Sequence, residues 1–387
     1  MFDFIMVIIL FYLYLDLVGF FFFVNFFFGF FLFFFSLLMF YLLKLLSDDF
    51  ISIMLMLFLV FISFNFFFCW NLIFFIIFFE LSSLSVILMA LIFGVQVEKI
   101  NAFYYFFFYN FLSFMPFLIL CMFMIDKMNL FYVNFIVDFF FMFFFMLVFF
   151  VKFPLFFFHY WLPKIHVEAS TFSSMLLASL LLKFGIFGFY YFLMFIKNVK
   201  MFMFLYIFFF GLLLCLLLCL IQSDLKSQIA YSSISHMSVV FFNLLFFSCY
   251  SEKFSFFVII GHSFSSSLGF WFIGEVFYSL KSRLVMEFNS FFISNYFFLY
   301  FFLMMLMLLG SFPFSLNYFT EFFMFFIINK SIYFIYFFMI FFFFDLMLVI
   351  FLFGMCYLGK FYKKSFSYNF VILFFFIFWS FNFFYFF

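Results

Sequence analysis

Apolar runs of membrane-crossing length follow one another along almost the whole chain, separated only by short polar clusters. A helix needs about 20 apolar residues to cross about 30 Å of hydrocarbon. By that measure the pattern predicts helical spans near 4–23, 26–46, 50–68, 70–93, 103–125, 133–158, 171–196, 201–221, 226–249, 254–280, 291–328, 332–358 and 366–387. The punctuation is Ser47-Asp48-Asp49, Glu98-Lys99, Asp126-Lys127, Lys197 to Lys200, Ser223 to Lys226, Glu252-Lys253 and Lys281 to Glu287. A closed β-barrel is the other architecture that spans a membrane, and its strands alternate polar and apolar positions. The run Phe139 to Phe150 shows no alternation. The expected fold class is therefore all-α integral membrane, with about 13 transmembrane helices. Asp3 stands where a cleavable transit peptide would be basic, so the first span is expected to remain as a helix.

Two spans carry breakers. The sixth ends on Lys152-Phe153-Pro154, and the eleventh contains Gly310, Pro313 and Asn317. Proline removes a backbone donor and clashes with the preceding turn. Freed carbonyls survive at membrane depth only where protein or a wet cavity satisfies them. Interrupted helices at comparable places in two halves of a chain point to a transporter made of inverted repeats, here two bundles of about five helices, each with a broken helix. The expected organisation is 1–69 as N-terminal helices, 70–196 and 197–358 as the two half-repeats, and 359–387 as a C-terminal helix.

Composition sharpens this picture. Hydrophobic residues make up 73% of the 387 and charged residues only 8%, so water is not the main solvent. Phenylalanine takes 107 positions, many of which need only apolar bulk against lipid. Phe codons are T-rich, a bias toward which small organelle genomes drift. The net charge of +1 gives no argument for binding nucleic acid. Cys215 and Cys219 lie one turn apart in an apolar run and read as small buried residues rather than redox ligands. His159, His166 and Glu168 lie in the most polar and irregular stretch, but their spacing matches no zinc pattern. A phosphate loop, an iron–sulfur cysteine cluster and a haem motif are all missing from the sequence, so no cofactor is expected in this chain.

The informative residues are charges inside apolar spans. A charge at mid-bilayer costs about 2.5–3.5 kcal/mol or more, which makes it a functional candidate by default. Glu80, Lys183, His236, His262 and Glu321 all lie well inside predicted spans, and Lys152 sits beside the first break. Lys152 is also compatible with a side chain reaching to the interface. Acid, bases, histidines and acid in that order are the inventory of a proton relay. Ser232, Ser233 and Ser235 precede His236, and Ser263, Ser265, Ser266 and Ser267 follow His262. Such serines either bond their own backbone or line water; beside mid-depth histidines, water-lining is the expectation.

Five stretches carry a resemblance. They are Phe79-Glu80-Leu81; Val151-Lys152-Phe153-Pro154 running on through His159-Tyr160-Trp161-Leu162-Pro163-Lys164-Ile165-His166-Val167-Glu168-Ala169; Leu182-Lys183-Phe184-Gly185; Ser223-Asp224-Leu225-Lys226-Ser227 through Tyr231-Ser232-Ser233-Ile234-Ser235-His236-Met237; and Phe312-Pro313 to Asn317 and Glu321. Together they are similar to the antiporter-like family shared by proton-pumping NADH:ubiquinone oxidoreductase (respiratory complex I) and multisubunit sodium/proton antiporters. The likeness covers roughly 70 to 330. Glutamate at Glu321 resembles the subunit-4 branch, whose sister subunits 2 and 5 carry lysine there. Relative to the family, the N-terminus looks short by about one helix, and Ile165 and Ser170 replace an alanine and a proline.

The resemblance implies a proton-translocating membrane subunit of the mitochondrial inner membrane. Glu80 would pair with Lys152, Lys183 would be the central relay, His236 and His262 would line a hydrated axis, and Glu321 would face the exit or the next subunit. Opening the Glu80–Lys152 pair would change the proton affinity of Lys152 and press its charge on Lys183. It also implies that NADH, FMN, iron–sulfur clusters and ubiquinone are bound by other subunits. Expected partners are the complex I membrane subunits, with subunits 2 and 5 as neighbours, accessory subunits and lipids such as cardiolipin. The alternatives are a subunit of a cation/proton antiporter, or a scaffold whose buried charges are relics.

Overall fold

The computed structural model describes residues 50–69, 71–94, 96, 98–123, 139–195, 202–245, 249–280, 282–285, 296–312, 315, 317–318, 321–322 and 332–357. The spans expected at 4–23, 26–46 and 366–387, and Pro313, lie outside them. The described elements are all helical: α1 (Phe50–Phe68), α2 (Leu72–Phe93), α3 (Lys99–Phe123), α4 (Phe139–Lys152), α5 (Trp161–Glu168), α6 (Thr171–Leu176), a π-helical turn (Leu177–Leu181), α7 (Leu182–Phe195), α8 (Phe202–Ile221), α9 (Leu225–Leu245), α10 (Cys249–Leu280), α11 (Tyr296–Leu309) and α12 (Ile332–Tyr357). Among the described residues, five helices are long and apolar enough to cross a membrane.

The chain forms two compact units, Met1–Ser85 and Val86–Phe387. In the first, aromatic rings take the place of aliphatic packing. Phe66 lies 4.8 Å from Phe75, and Phe75 stacks 5.9 Å from Phe79, centroid to centroid. In the second, α3 packs on α4 and α5, α8 on α9, α9 on α10, and α12 on α8 and α11. Phe192 meets Phe145 at 4.5 Å and Phe149 at 5.0 Å, and Phe241 meets Phe189 at 5.0 Å. Tilted and edge-to-face pairs of this kind add stabilisation beyond the area they bury, which helps a Phe-rich chain pack a defined interior. Every residue of α9 is buried, so this helix is the axis of the unit.

The first break is explicit in the backbone. α4 ends at Lys152 rather than running on to 158, and Phe157 takes a left-handed φ of 79°. Pro154 has no N–H, and Leu155 N bonds back to Phe150 O at 3.1 Å. The carbonyl of Val151, which a continuous helix would satisfy through Leu155, instead accepts the indole N–H of Trp161 at 3.0 Å. Gly185 of α7 presses on this turn: a Cβ there would stand 3.0 Å from Phe153 N and 3.1 Å from the Lys152 carbonyl carbon. The residues that read as irregular, Trp161 to Glu168, form α5. Their polarity misleads because Trp161, Leu162, Pro163, Ile165 and His166 are all buried, and proline fits a first helical turn that has no donor to lose.

The second break follows α11. Gly310 and Ser311 form a turn, with Ser311 at φ 47°, and helical residues resume at Asn317–Tyr318 and Glu321–Phe322. Asn317 Nδ2 donates to Leu308 O at 3.3 Å, feeding a carbonyl at the interrupted helix end.

Candidate functional site

Lys183 enters the interior on α7, immediately after the π-helical turn. A π turn widens the helix by one residue per turn and often marks a functional position. Here the ammonium of Lys183 folds back on that turn and donates to Ala178 O at 2.6 Å. Its other partner is His262 Nδ1 on α10, at 3.0 Å. Both side chains are buried, at 0% and 1% exposure, so the contact is shielded from solvent. With the lysine charged, the facing histidine nitrogen must supply a lone pair, because two N–H groups cannot point at one another.

The histidines continue the line. The rings of His262 and His236 lie 5.8 Å apart, centroid to centroid. His236, on α9, meets Glu321 Oε1 through Nδ1 at 3.1 Å. Its Nε2 faces Asp345 Oδ1 on α12 at 3.8 Å. Lys183, His262, His236 and Glu321 are thus brought together from α7, α10, α9 and the stretch after the second break. Asp345 is the member that sequence reasoning missed. Its signal was the same as the others', an acid within a span, between Phe344 and Leu346.

Lys152 is buried at the last residue of α4, two residues before Pro154. Glu80 is carried on α2, at intermediate exposure, in the first unit. The serines of α9 and α10 donate to their own helices. Ser232, Ser233 and Ser235 donate to Ile229 O, Ala230 O and Ser232 O at 2.9, 2.7 and 2.7 Å. Ser263 and Ser267 donate to Ile260 O and Phe264 O, and both Ser265 and Ser266 donate to His262 O. In an apolar interior the nearest free lone pair is the helix's own carbonyl three or four residues back, so these hydroxyl protons are spent locally.

A cationic cluster stands at the C-terminal end of α5. Lys226 Nζ donates to Ala169 O at 2.7 Å, and Arg283 donates to Val167 O. Asp224 and Leu284 form an antiparallel bridge, flanked by Leu225 N to Arg283 O at 3.2 Å and Val285 N to Ser223 O at 2.9 Å. Positive charge on the last carbonyls of a helix complements its dipole. His166 is used in packing: its ring lies flat on Phe270, 4.3 Å away at 5°. Among the described residues, no group of three or more His, Cys, Asp or Glu is arranged to hold a metal ion.

A family model for the membrane region of NADH:quinone oxidoreductase and Mrp antiporter subunits matches residues 69–348. That stretch holds both breaks and all the buried charges above. The chain belongs to this family. Similar curated proteins are NADH-ubiquinone oxidoreductase chain 4 from Caenorhabditis elegans, 36% identical over 247 residues, and from Ascaris suum, 35% identical over 243. Each match covers 63% of this chain and 59% of the relative, so the chain spans about three-fifths of the length of these relatives. Among solved structures, a chain of respiratory complex I from Thermus thermophilus shares the fold with a TM-score of 0.74 at 18% identity, covering 84% of this chain and 73% of that one. A chain of the Mrp complex from Dietzia matches with a TM-score of 0.74 at 14% identity, over 81% of this chain and 62% of that one. The family member described here is an all-helical, multi-pass membrane protein.

Proposed function

We propose that this chain is a proton-translocating membrane subunit of an NADH:ubiquinone oxidoreductase, of the chain-4 type, in the mitochondrial inner membrane. The observation that carries the reading is the buried line Lys183–His262–His236–Glu321. Relatives named chain 4 at 36% and 35% identity support the assignment to that complex. On this reading NADH, FMN, iron–sulfur clusters and ubiquinone belong to other subunits, and this chain holds no redox centre. Its neighbours are membrane subunits 2 and 5 with accessory subunits, and lipids such as cardiolipin fill its outer surface.

Within the chain, the resemblance to the family assigns Glu80 and Lys152 to the entry of the line, where a change in the charge of Lys152 biases Lys183 electrostatically. Lys183 then passes a proton from its ammonium to His262 Nδ1, and the histidines carry it to Glu321. The two breaks, one just after Lys152 and one before Glu321, fit an architecture of two inverted repeats of about five helices at 70–196 and 197–358.

The test is reconstitution of the complex in vesicles with Lys183→Ala. The expected result is an assembled complex that oxidises NADH without building a proton gradient. Full pumping by the variant would make the buried charges structural relics. A second reading, a cation/proton antiporter subunit, draws on the Mrp chain's TM-score of 0.74. Co-purification in mild detergent separates the two, since flavin- and iron–sulfur-bearing partners belong only to the first.

A further inference from the structure

Asp345 lies outside every stretch of the sequence that resembles the family motifs. It sits on α12 among Phe342, Phe343, Phe344, Leu346 and Met347, the one charged residue in the sequence of that helix. Its side chain is buried at 2% exposure and turned inward toward His236. Several features hold it there. α12 packs against α8 and α11, and Gly310 at the second break has no room for a Cβ against Val349, one turn beyond Asp345. The break that delivers Glu321 thus also sets α12 close to the histidine.

The resulting geometry is two-sided. His236 offers Nδ1 to Glu321 at 3.1 Å and Nε2 to Asp345 at 3.8 Å. The second oxygen of each carboxylate, Glu321 Oε2 and Asp345 Oδ2, and the Nε2 of His236 have no hydrogen-bond partner among the described residues, so the 3.8 Å approach of Asp345 is an ionic contact and not a hydrogen bond. A buried carboxylate with an unmet oxygen is costly as an anion and much less so as a neutral acid. Two carboxylates on one imidazole cannot both be ionised without opposing each other.

We propose that Asp345 is a second proton-accepting carboxylate of the line, making His236 a branch point that serves Glu321 through Nδ1 and Asp345 through Nε2. The inference rests on the relay reading of Lys183, His262, His236 and Glu321. In the step concerned, Nε2 of His236 and Oδ1 of Asp345 close from 3.8 Å to hydrogen-bonding distance, and the imidazolium releases its Nε2 proton to Oδ1. The Nδ1–H bond and its contact with Glu321 remain. The products are a neutral imidazole and a neutral carboxylic acid, so the proton and charge balance. Two distinct ring nitrogens let one imidazole face two carboxylates on opposite sides, which is what a branch at this position requires.

A purely structural Asp345 would act as a fixed counter-ion. The experiment compares wild type, Asp345→Asn, Asp345→Glu, Glu321→Gln and Lys183→Ala in the assembled complex reconstituted in vesicles. Asp345→Asn keeps the shape and hydrogen-bonding capacity but cannot carry the proton. It is expected to lose most of the proton translocation per electron pair, with Asp345→Glu restoring it. Infrared difference spectra during turnover are expected to show a carboxylic-acid C=O band that Asp345→Asn removes, Asp345→Glu shifts and Glu321→Gln retains. Wild-type pumping by Asp345→Asn, or a spectrum unaltered in both Asp345 variants, overturns the proposal. Should Asp345→Asn fail to assemble, the Asp345→Glu band decides alone: a shift supports the branch and no shift overturns it. Full pumping by Lys183→Ala removes the relay itself; pumping lost in Lys183→Ala but kept in Asp345→Asn removes only the branch.

Discussion

The ammonium of Lys183 stands 3.0 Å from Nδ1 of His262, and no carboxylate pairs with that lysine among the described residues. Its second contact is a neutral carbonyl, Ala178 O at 2.6 Å. A lysine held by a base and a carbonyl shares one proton with its neighbour, since two positive charges at that separation in a buried site repel strongly. Replacing His262 with leucine removes the acceptor while preserving apolar volume. His262→Leu is expected to leave assembly intact and cut proton translocation to the level of passive leak. Dye-monitored acidification of vesicles, with the assembled complex scored on a native gel, checks it.

Gly185 packs on the turn that ends α4. The atoms that a side chain would meet are Phe153 N and the Lys152 carbonyl carbon, at 3.0 and 3.1 Å, and backbone cannot step aside as a rotamer can. Gly185→Val should therefore destabilise the chain by about 1–3 kcal/mol, the range for overpacking. It should also displace Lys152, so pumping falls together with the thermal midpoint. A Gly185→Val protein with wild-type thermal stability in detergent would contradict the packing described for the first break.

Lys226 is 3% exposed and donates to the carbonyl of Ala169. Lys226→Met keeps the apolar stem and deletes the donor. The orphaned carbonyl should cost about 1–3 kcal/mol. The loss should appear locally as faster amide exchange at the junction between α5 and α6, with the core of α9 protected as before. Uniform loss of protection across α9 would point instead to global unfolding.

Trp161→Phe tests the repair of the first break. Phenylalanine keeps the edge-on contact with Phe106, 4.7 Å between centroids, but not the N–H to Val151 O. The expected destabilisation is about 1–3 kcal/mol, because the acceptor is left buried and unmet. A thermal midpoint unchanged from wild type would mean that the carbonyl finds another donor.

How much of this was legible beforehand depends on the physics of each residue. Lys183, His236, His262 and Glu321 stood out because a charge in an apolar run is expensive wherever it occurs. Asp345 carried the same signal between Phe344 and Leu346 but had no motif around it to direct attention. Pro154 and Gly310 announced both breaks through lost donors and absent side chains. The π-helical turn at Leu177–Leu181 could not be read, because its composition of leucine, alanine and serine suits an ordinary helix equally well. For the serines, sequence shows a hydroxyl's presence but not the direction of its proton, which here goes to the helix's own carbonyls. Helix periodicity was no guide, since phenylalanine fills buried and exposed faces alike: Phe106 is 1% exposed and Phe107 52% on the same helix.

The bridge between Asp224 and Leu284 has a mechanical meaning. α9 and α10 are consecutive helices, joined at one end by the short connection after Leu245. At the other end, the backbone bonds of Leu225 and Val285 stitch the start of α9 to the chain leaving α10. A helical hairpin tied at both ends resists scissoring, which favours His236 and His262 keeping their mutual spacing. A stroke that changes the spacing along the line then falls at its outer joints, where Lys183 approaches from α7, Glu321 from beyond the second break and Asp345 from α12.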